Sequence, residues 1–171
     1  MFAAVSLPRR LVAIAALPAL AAVVTACAAP AAGSSGAVAG SGPPARPVAI
    51  DSRVISGVGD VLVTTKGYAL YMFQPDSQRQ VTCTGLCAAT WPPVKIAPGA
   101  TLSAGPGVRS SLLSTDKDPA GGTVVTYNGW PLYTYSGDVQ PGQITGQAID
   151  LNGGDWYLMR PSGQPLTTGP G

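Results

Sequence analysis

Two cysteines stand four residues apart, at Cys83 and Cys87, and a thiol pair at this spacing can form a disulfide or exchange electrons. Residues four apart on a helix lie about 6 Å from each other between Cα atoms, which is within disulfide range. The spacing is not Cys-x-x-Cys and no His follows, which disfavours a redox motif and covalent haem attachment. In an exported chain the pair predicts a structural disulfide; a thiol–disulfide or electron-transfer accessory role is the alternative.

Asp76 and Asp138 are the two carboxylates that a hydrolase could use. Such a mechanism places two acids at one scissile bond and raises the pKa of one of them. Each Asp also closes an aromatic segment, and Asp is a frequent turn residue because its side chain accepts nearby backbone N–H bonds. We therefore interpret both as turn or hairpin caps, and a carboxylate-dependent hydrolase is the less favoured alternative.

The composition excludes several kinds of catalytic and metal-binding site. The chain has no His and no Glu, so Ser-His-Asp catalysis, Cys-His catalysis and His-ligated zinc or copper are excluded. Segments 116–118 and 150–155 lack the bidentate Glu of a calcium loop, and we predict no metal and no cofactor.

The net charge is +2 from 10 basic and 8 acidic residues, and loss of Arg9 and Arg10 with a leader would leave 8 of each sign. Without a basic field, nucleic-acid binding is not expected.

A ten-residue sequence motif occurs twice, from Gly67 to Asp76 and from Gly129 to Asp138. Gly, aromatic, Leu, Tyr, aromatic and Asp occupy the same places in both copies, which indicates internal duplication. Repetition favours core packing over a stacking platform for sugars or other flat ligands, because duplicated cores reuse the same residues. The repeated aromatic positions are Tyr71, Phe73, Tyr133 and Tyr135, while Tyr68 and Trp130, next to the turns, are expected to be exposed and ligand-facing.

Each copy is predicted to be the return strand of a β-hairpin. Period-2 alternation places Leu70 and Met72 on one face of the first return strand and Tyr71 and Phe73 on the other. Both faces are largely apolar, so we expect strands covered on both sides or one face used for binding. The predicted strands are Val61–Thr65 and Tyr68–Phe73 around a two-residue Lys66-Gly67 turn, and Thr123–Tyr127 and Trp130–Tyr135 around Asn128-Gly129, the preferred type I′ pair.

Shorter elements are predicted around these hairpins. Thr82 is expected to cap a short helix that carries both cysteines and ends before Pro92. The rest of the chain is rich in Gly and Pro, which favours turns and loops over longer helices. After the second copy the pattern predicts a strand at Trp156–Met159, a turn at Pro161–Gly163 and a frayed tail at 164–171.

The N-terminal residues 1–26 are typical of an export signal, with two arginines before an apolar run too short to span a bilayer comfortably. The run ends in Val24–Cys27, which resembles a bacterial lipobox, the motif whose cysteine is diacylated and becomes the new N-terminus. Each buried CH₂ contributes about 0.8 kcal/mol, so two or three acyl chains such as palmitate would anchor the protein stably at Cys27. An ordinary secretory signal cut near Ala26 or Ala29 is the alternative.

The repeated Tyr-x-aromatic-x-x-Asp motif resembles that of the bacterial "secreted repeat of unknown function" lipoproteins. The run Cys-Thr-Gly-x-Cys-x-x-x-Trp-Pro-Pro and the run Tyr-Asn-Gly-Trp-Pro-Leu-Tyr also match that family, and the resemblance covers Val58 to Gly163. It implies a surface or secreted lipoprotein with two repeats, and it carries over no catalytic residue. The motif residues are Tyr71, Phe73 and Asp76 in the first copy and Tyr133, Tyr135 and Asp138 in the second.

The sequence thus predicts a mainly β fold. We expect one compact domain of two related β-hairpin repeat units, sandwich or barrel-like, with a short helix at the cysteine pair and a disordered N-terminal tether. The expected organisation is a lipoprotein signal peptide at 1–26, a lipidated flexible linker at 27–47, a two-repeat domain at 48–163 with repeats at 58–95 and 121–160, and the tail at 164–171.

The predicted function follows from the anchor and from the absence of a catalytic set. We expect a non-enzymatic lipoprotein held by its lipid on the extracytoplasmic face of a bacterial cell membrane. Its domain would bind an envelope polysaccharide or an envelope protein. The sequence makes no prediction about the oligomeric state.

Overall fold

The computed structural model describes residues 45–76 and 80–168 of the chain. The signal peptide predicted at 1–26, the lipidation predicted at Cys27 and the linker up to residue 44 lie outside these ranges. Within them, no helix has the length and apolar character needed to cross a membrane.

The described chain is built mainly from short β-strands, as the sequence predicts. The first strand, Val48–Ile55, was not foreseen, because its residues alternate poorly between apolar and polar. The strands are β1 (Val48–Ile55), β2 (Gly59–Thr64), β3 (Tyr71–Phe73), β4 (Lys95–Ile96), β5 (Leu102–Ala104), β6 (Leu113–Lys117), β7 (Thr123–Tyr127), β8 (Trp130–Pro131), β9 (Ile149–Asp150) and β10 (Asp155–Leu158), and the one α-helix among the described residues is α1 (Leu86–Thr90).

These strands form three small sheets and not a closed barrel. One sheet has the order β2-β1-β5, in which β1 runs antiparallel to β2 and parallel to β5. The second has the order β3-β10-β9, and the third has the order β4-β7-β6 with β8 paired to β7. Isolated bridges, including one between Tyr71 and Tyr133, connect the sheets.

The second hairpin has the predicted two-residue turn. Tyr127 pairs with Trp130, and Asn128 and Gly129 have φ values of 49° and 82°. A type I′ turn requires positive φ at both central residues, and Asn-Gly is the pair that adopts it most readily. The type I′ prediction is confirmed.

The first hairpin differs from its prediction. The Thr64 N–H donates to the Tyr68 carbonyl at 2.8 Å, and the Gly67 N–H donates to the Thr64 carbonyl at 2.7 Å. The loop therefore has three residues, Thr65 to Gly67, and only Gly67 has positive φ, at 85°. The predicted two-residue Lys66-Gly67 turn is wrong, because a type I′ turn would need positive φ at Lys66, which a long side chain disfavours.

Apolar side chains fill both faces of the central strands, as the alternation predicts. Leu70 and Met72 pack in one cluster, and Tyr71 and Phe73 pack in another. We call the first the aliphatic core, formed by Ile50, Leu62, Leu70, Met72, Val125, Tyr127, Leu132 and Met159. We call the second the aromatic core, formed by Val61, Val63, Ala69, Tyr71, Phe73, Cys83, Trp91, Tyr133, Trp156, Leu158 and Leu166.

The end of the described chain is packed and not frayed, which corrects the prediction for residues 164–168. Leu166 is buried in the aromatic core, and its N–H donates to the Leu158 carbonyl at 2.8 Å. The Gln147 amide donates to the carbonyls of Leu166 at 2.6 Å and Thr168 at 2.9 Å. These bonds satisfy backbone groups that a frayed end would leave to water.

Candidate functional site

The two repeats meet at a backbone bridge between Tyr71 and Tyr133. The N–H of each donates to the carbonyl of the other, and both distances are 2.9 Å. The two tyrosines hold the same place in the two copies of the motif. The bridge therefore relates the copies by an approximate two-fold arrangement at this point.

The tyrosine hydroxyls cross from one repeat to the other. Tyr71 donates to Oδ2 of Asp138, and Tyr133 donates to Oδ2 of Asp76, each at 2.6 Å. Each motif thus supplies the tyrosine for one bond and the aspartate for the other. We call these the crossed Tyr–Asp pairs. All four side chains are buried: the tyrosines are 0% exposed, Asp76 is 1% exposed and Asp138 is 4% exposed.

The second oxygen of each aspartate holds a threonine from its own repeat. Asp76 Oδ1 accepts bonds from the Thr82 backbone N–H at 2.7 Å and from its hydroxyl at 2.6 Å. Asp138 Oδ1 accepts the same two bonds from Thr145, at 2.8 Å and 2.6 Å. The aspartates therefore cap backbone groups six and seven residues further along the chain. Thr82 was expected to cap helix α1, but the residue before that helix is Gly85, and no side chain caps it.

Burial sets the electrostatics of the crossed Tyr–Asp pairs. It raises the pKa of Tyr71 and Tyr133 far above the ordinary tyrosine value, and the bond to each aspartate raises it further. Burial also raises the pKa of Asp76, while hydrogen bonds from Thr82, Tyr133 and the Cys83 backbone oppose this shift. The tyrosines are consequently neutral hydrogen-bond donors throughout the physiological pH range.

Four aromatic rings form a stacked column through the aromatic core. Phe73 stacks on Trp156 with centroids 4.3 Å apart, Trp156 on Trp91 at 3.8 Å, and Trp91 on Tyr135 at 4.1 Å. The outer rings come from the repeated motif, and each stacks on the tryptophan that follows the motif in the other repeat. Tyr71 and Tyr133 meet the edges of Trp91 and Trp156 at 5.3 Å and 5.2 Å. This column packs the interior, as the sequence predicts for most aromatics.

The two tryptophans of the column differ in the hydrogen bonding of their indole nitrogens. The Trp156 indole N–H donates to the Leu151 carbonyl at 2.9 Å. The Trp91 indole nitrogen is buried and has no hydrogen-bond partner among the described residues. A buried donor without a partner carries a desolvation cost, so the two halves of the column are not energetically equivalent.

The predicted disulfide between Cys83 and Cys87 is confirmed. Its Cα atoms are 5.2 Å apart, and the bond connects the loop after Asp76 to helix α1. Cys83 is 2% exposed and belongs to the aromatic core, while Cys87 is half-buried and packs against that core. The disulfide thus lies beside the loop that Asp76 caps.

A cavity of about 620 Å³ opens beside the turn of the first hairpin, and we call it the hairpin cavity. Of the two residues expected to face a ligand, Tyr68 lines it, whereas Trp130 does not and instead packs half-buried against the aliphatic core. Other lining residues are Thr65, Lys66, Lys95, Tyr135 and Ser136. Asp138 also lines the cavity, but its carboxylate already accepts hydrogen bonds from Tyr71 and Thr145.

Three further aspartates have identified partners. Asp118 forms an ion pair with Lys95 at 2.9 Å; partial burial opposes the effect of that lysine, but the net result is a pKa below the ordinary aspartate value. Asp116 accepts the Lys117 N–H, and Asp155 accepts the Tyr157 hydroxyl. In the part of the chain that the structure describes, no three His, Cys, Asp or Glu side chains gather as metal ligands.

Sequence reasoning missed the threonines of this centre. Thr82 and Thr145 follow the two motif aspartates by six and seven residues, and a threonine at a similar distance after each motif was a signal that could have identified them. It also missed Gln147, whose side chain binds three backbone groups: the carbonyls of Leu166 and Thr168 and the N–H of Leu158. A single glutamine in a loop gives no pattern that would reveal this role.

Comparison with known proteins gives one result. A family model described as a secreted repeat of unknown function matches residues 52–95 and 114–159, which together make up more than half of the chain. Each matched stretch contains one Tyr-x-aromatic-x-x-Asp motif and one tryptophan of the aromatic column. Comparisons with curated proteins and with solved structures returned no match.

Proposed function

The chain belongs to this family of secreted repeats of unknown function, and from that premise we propose that it is a lipid-anchored lipoprotein of the bacterial envelope that binds an envelope component without catalysing a reaction. The observation that carries the proposal is the burial of the crossed Tyr–Asp pairs, at 0–4% exposure. Both motif aspartates already have each carboxylate oxygen hydrogen-bonded within the protein, which leaves little for a substrate to use. The hairpin cavity instead offers aromatic rings, hydroxyl groups and two lysines, which are groups suited to recognition.

The geometry gives little support to a carboxylate-dependent hydrolase. Such an enzyme needs two carboxyl groups that flank one substrate bond and that the substrate can reach. Asp76 and Asp138 bind different tyrosines and different loops, and both of their oxygens accept hydrogen bonds from the protein. These contacts favour a structural role for both aspartates.

The partial exposure of Cys87 is the one observation that favours a thiol–disulfide role as a second candidate. Exchange begins when a thiolate attacks a disulfide sulfur, so access to that sulfur is required. Titration of the protein against redox buffers separates the two roles. We expect a reduction potential below about −300 mV, typical of structural disulfides, because Cys83 is buried in the aromatic core. A potential near about −200 mV would favour exchange and contradict the structural role.

The lipid anchor is supported by the Val24–Cys27 motif, and the N-terminal peptide provides its test. We expect this peptide, taken from the membrane fraction, to begin at Cys27 and to carry the mass of acyl chains. Cys27→Ala should abolish the acyl mass, while the control Ser34→Ala in the linker should retain it. An unmodified N-terminus near residue 27 or 30 in the unaltered protein would support the secretory alternative and contradict the anchor.

Binding is tested with the full chain purified from membranes in detergent. We expect it to sediment with isolated envelope polysaccharide or with an envelope protein of the producing bacterium, and to release no cleaved product from either. Failure to sediment with any envelope fraction would contradict the binding function. Turnover of the bound material would contradict its non-enzymatic character.

A further inference from the structure

We infer that the hairpin cavity binds an acidic saccharide, a sugar chain that carries carboxylate or phosphate groups. The inference rests on the proposed binding function and names the ligand class. Three properties of the cavity lead to it: two tyrosine rings, free hydroxyl groups and an excess of unpaired positive charge. Its volume of about 620 Å³ lies within the usual range for small-ligand sites.

The aromatic surface comes from Tyr68 and Tyr135, which are both half-buried in the cavity wall. The Tyr135 ring is fixed because it stacks on Trp91 at 4.1 Å, and Trp91 in turn stacks on Trp156. Aromatic ring faces pack well against the C–H faces of sugar rings. A ring that is held in place before binding loses little entropy when a ligand arrives.

The walls of the cavity come from both repeats and are tied together. Thr65, Lys66 and Tyr68 belong to the first hairpin, whereas Tyr135 and Ser136 follow the second hairpin. The Gly142 N–H donates to the Gly67 carbonyl at 3.0 Å, which joins the loop after the second motif to the first turn. The cavity is therefore preformed in the folded domain, as most small-ligand sites are.

Hydroxyl groups are available to bind sugar hydroxyls. The side chains of Thr65 and Ser136 are exposed and form no hydrogen bond with another described residue. A hydroxyl both donates and accepts, so it can pair with a sugar hydroxyl in either sense. A purely apolar ligand would leave these groups without a partner from the ligand.

The charge around the cavity is positive. The Lys66 ammonium is exposed and has no ion-pair partner among the described residues. A nitrogen of the Arg53 guanidinium lies 3.1 Å from the position that a Cβ on Gly67 would take, so a second cation stands at the same turn. Lys95 is already paired with Asp118. The buried Asp138 carboxylate accepts hydrogen bonds from neutral hydroxyls, which do not cancel its charge, so Lys66 and Arg53 are two cations against this one acid. An anionic group on the ligand would therefore meet Lys66 first.

Calorimetry with the full chain in detergent tests this inference. The probes are a galacturonic acid hexamer, a glucose hexamer phosphorylated on its C6 hydroxyl groups and the neutral glucose hexamer of the same length. We expect at least one acidic hexamer to bind at least about tenfold more tightly than the glucose hexamer, and its affinity to fall as salt is added. The acidic hexamer that binds more tightly identifies the carboxylate or the phosphate as the recognised group.

Variants locate the site. Lys66→Gln and Tyr68→Ala should each weaken binding about tenfold or more. Their controls are Lys117→Gln, at an exposed lysine of β6, and Tyr157→Ala, at a half-buried tyrosine of β10; both lie outside the cavity lining and should leave the affinity unchanged. Because Lys66 is exposed in a loop, its variant is expected to fold normally even if Tyr68→Ala does not.

Four outcomes would overturn the inference. Equal affinity for the acidic and neutral hexamers would show that the charge of the ligand is not recognised. Equal losses of affinity in Lys66→Gln and Lys117→Gln would show that the hairpin cavity is not the binding site. Sedimentation with envelope material that persists in the Lys66→Gln and Tyr68→Ala variants would leave the proposed function standing and place the ligand elsewhere. Absence of sedimentation in the unaltered protein would contradict the proposed function as well.

Discussion

Tyr71 and Tyr133 connect the two repeats through both backbone and side chain. Each tyrosine contributes to the bridge between repeats, and each hydroxyl donates to the aspartate of the other motif at 2.6 Å. A short bond to a buried carboxylate is stronger than a neutral hydrogen bond, and its loss leaves a buried acceptor unsatisfied. The repeated motif therefore encodes an attachment between repeats, and its residues gain their partners only when both repeats are present.

Tyr71→Phe tests this attachment. The variant keeps the ring against Trp91 but leaves Asp138 Oδ2 without its tyrosine donor, so we expect a loss of about 1–3 kcal/mol in the free energy of unfolding. Tyr157→Phe is the control, because its hydroxyl bonds to Asp155 nearer the surface and should cost less than about 0.5 kcal/mol. Urea denaturation measures both, and equal losses in the two variants would contradict the role assigned to the crossed pair.

Asp76 should make stability depend on pH. Burial raises its pKa in the folded state, so between the unfolded and folded pKa values the native protein binds more protons than the unfolded chain. The contribution of Asp76 is then fully present below the unfolded pKa of about 3.9 and is lost as pH rises through the folded pKa.

Comparison with Asp76→Asn isolates this contribution. The unaltered protein should gain stability relative to the variant as pH falls from 7 towards 4, which denaturation at a series of pH values measures. Asp116→Asn, at a more exposed aspartate of β6, serves as the control for general charge effects. A stability difference between protein and variant that does not change with pH would argue against a raised pKa at Asp76.

The two hairpins show how the turn residues decide local structure. Asn128-Gly129 gives a two-residue turn because both residues accept positive φ, whereas Lys66-Gly67 gives a three-residue loop because only the glycine does. The longer loop shifts the pairing by one residue: Val63 pairs with Ala69, while Thr126 pairs with Pro131. It also puts Thr65, Lys66 and Tyr68 around the hairpin cavity, whereas the second turn lines a different cavity of about 400 Å³.

Gly129→Val tests the second turn. Valine is strained at the φ of 82° found there, so we expect a destabilisation of about 1–2 kcal/mol or more. Thr65→Val, in the exposed loop of the first hairpin, introduces the same side chain at a residue without positive φ and should change stability by less than about 0.5 kcal/mol. Thermal melting is the measurement, and an unchanged midpoint in Gly129→Val would contradict the type I′ assignment.

The fold of the whole domain depends on contacts that each half of the chain makes with the other. Phe73 of the first motif stacks on Trp156, and Tyr135 of the second stacks on Trp91, so each half of the chain completes the aromatic packing of the other. The disulfide at Cys83 and Cys87 strengthens only the first half, because both cysteines lie within four residues. One repeat alone would expose much of the aromatic core and leave the motif aspartates without their tyrosines.

Cleavage in the exposed segment after Gly99 should therefore prevent either half from folding alone. Gly99 has open space around it and joins β4 to β5, so cutting there removes no buried contact. We expect each fragment to lack a cooperative unfolding transition by circular dichroism and the two mixed fragments to regain one. Cooperative unfolding of one isolated fragment would show that the crossed contacts are not required for folding.

Several features of the fold could be derived from the sequence because they depend on residues that are close along the chain. Period-2 alternation predicted the two faces of β3, Asn-Gly predicted the second turn, and the spacing of Cys83 and Cys87 predicted a disulfide. In each case the residues that interact are close along the chain, although Cys83 lies before helix α1 and only Cys87 lies on the helix that was expected to carry both cysteines. The duplicated motif also identified the repeats, because equal sequences favour equal packing.

The remaining features depend on contacts between distant residues. Tyr71 and Asp138 are separated by 67 positions, and Tyr133 and Asp76 by 57. A hydrophobic pattern states which face a side chain occupies, but not which distant atom it meets there. The same reason explains why β1 and the packed end at Leu166 were missed, since both are fixed by partners elsewhere in the chain. The sequence by itself determined the repeats, the turn of the second hairpin and the disulfide. The tertiary structure alone decided that each motif tyrosine bonds to the aspartate of the other motif, because that pairing exists only after the two repeats meet.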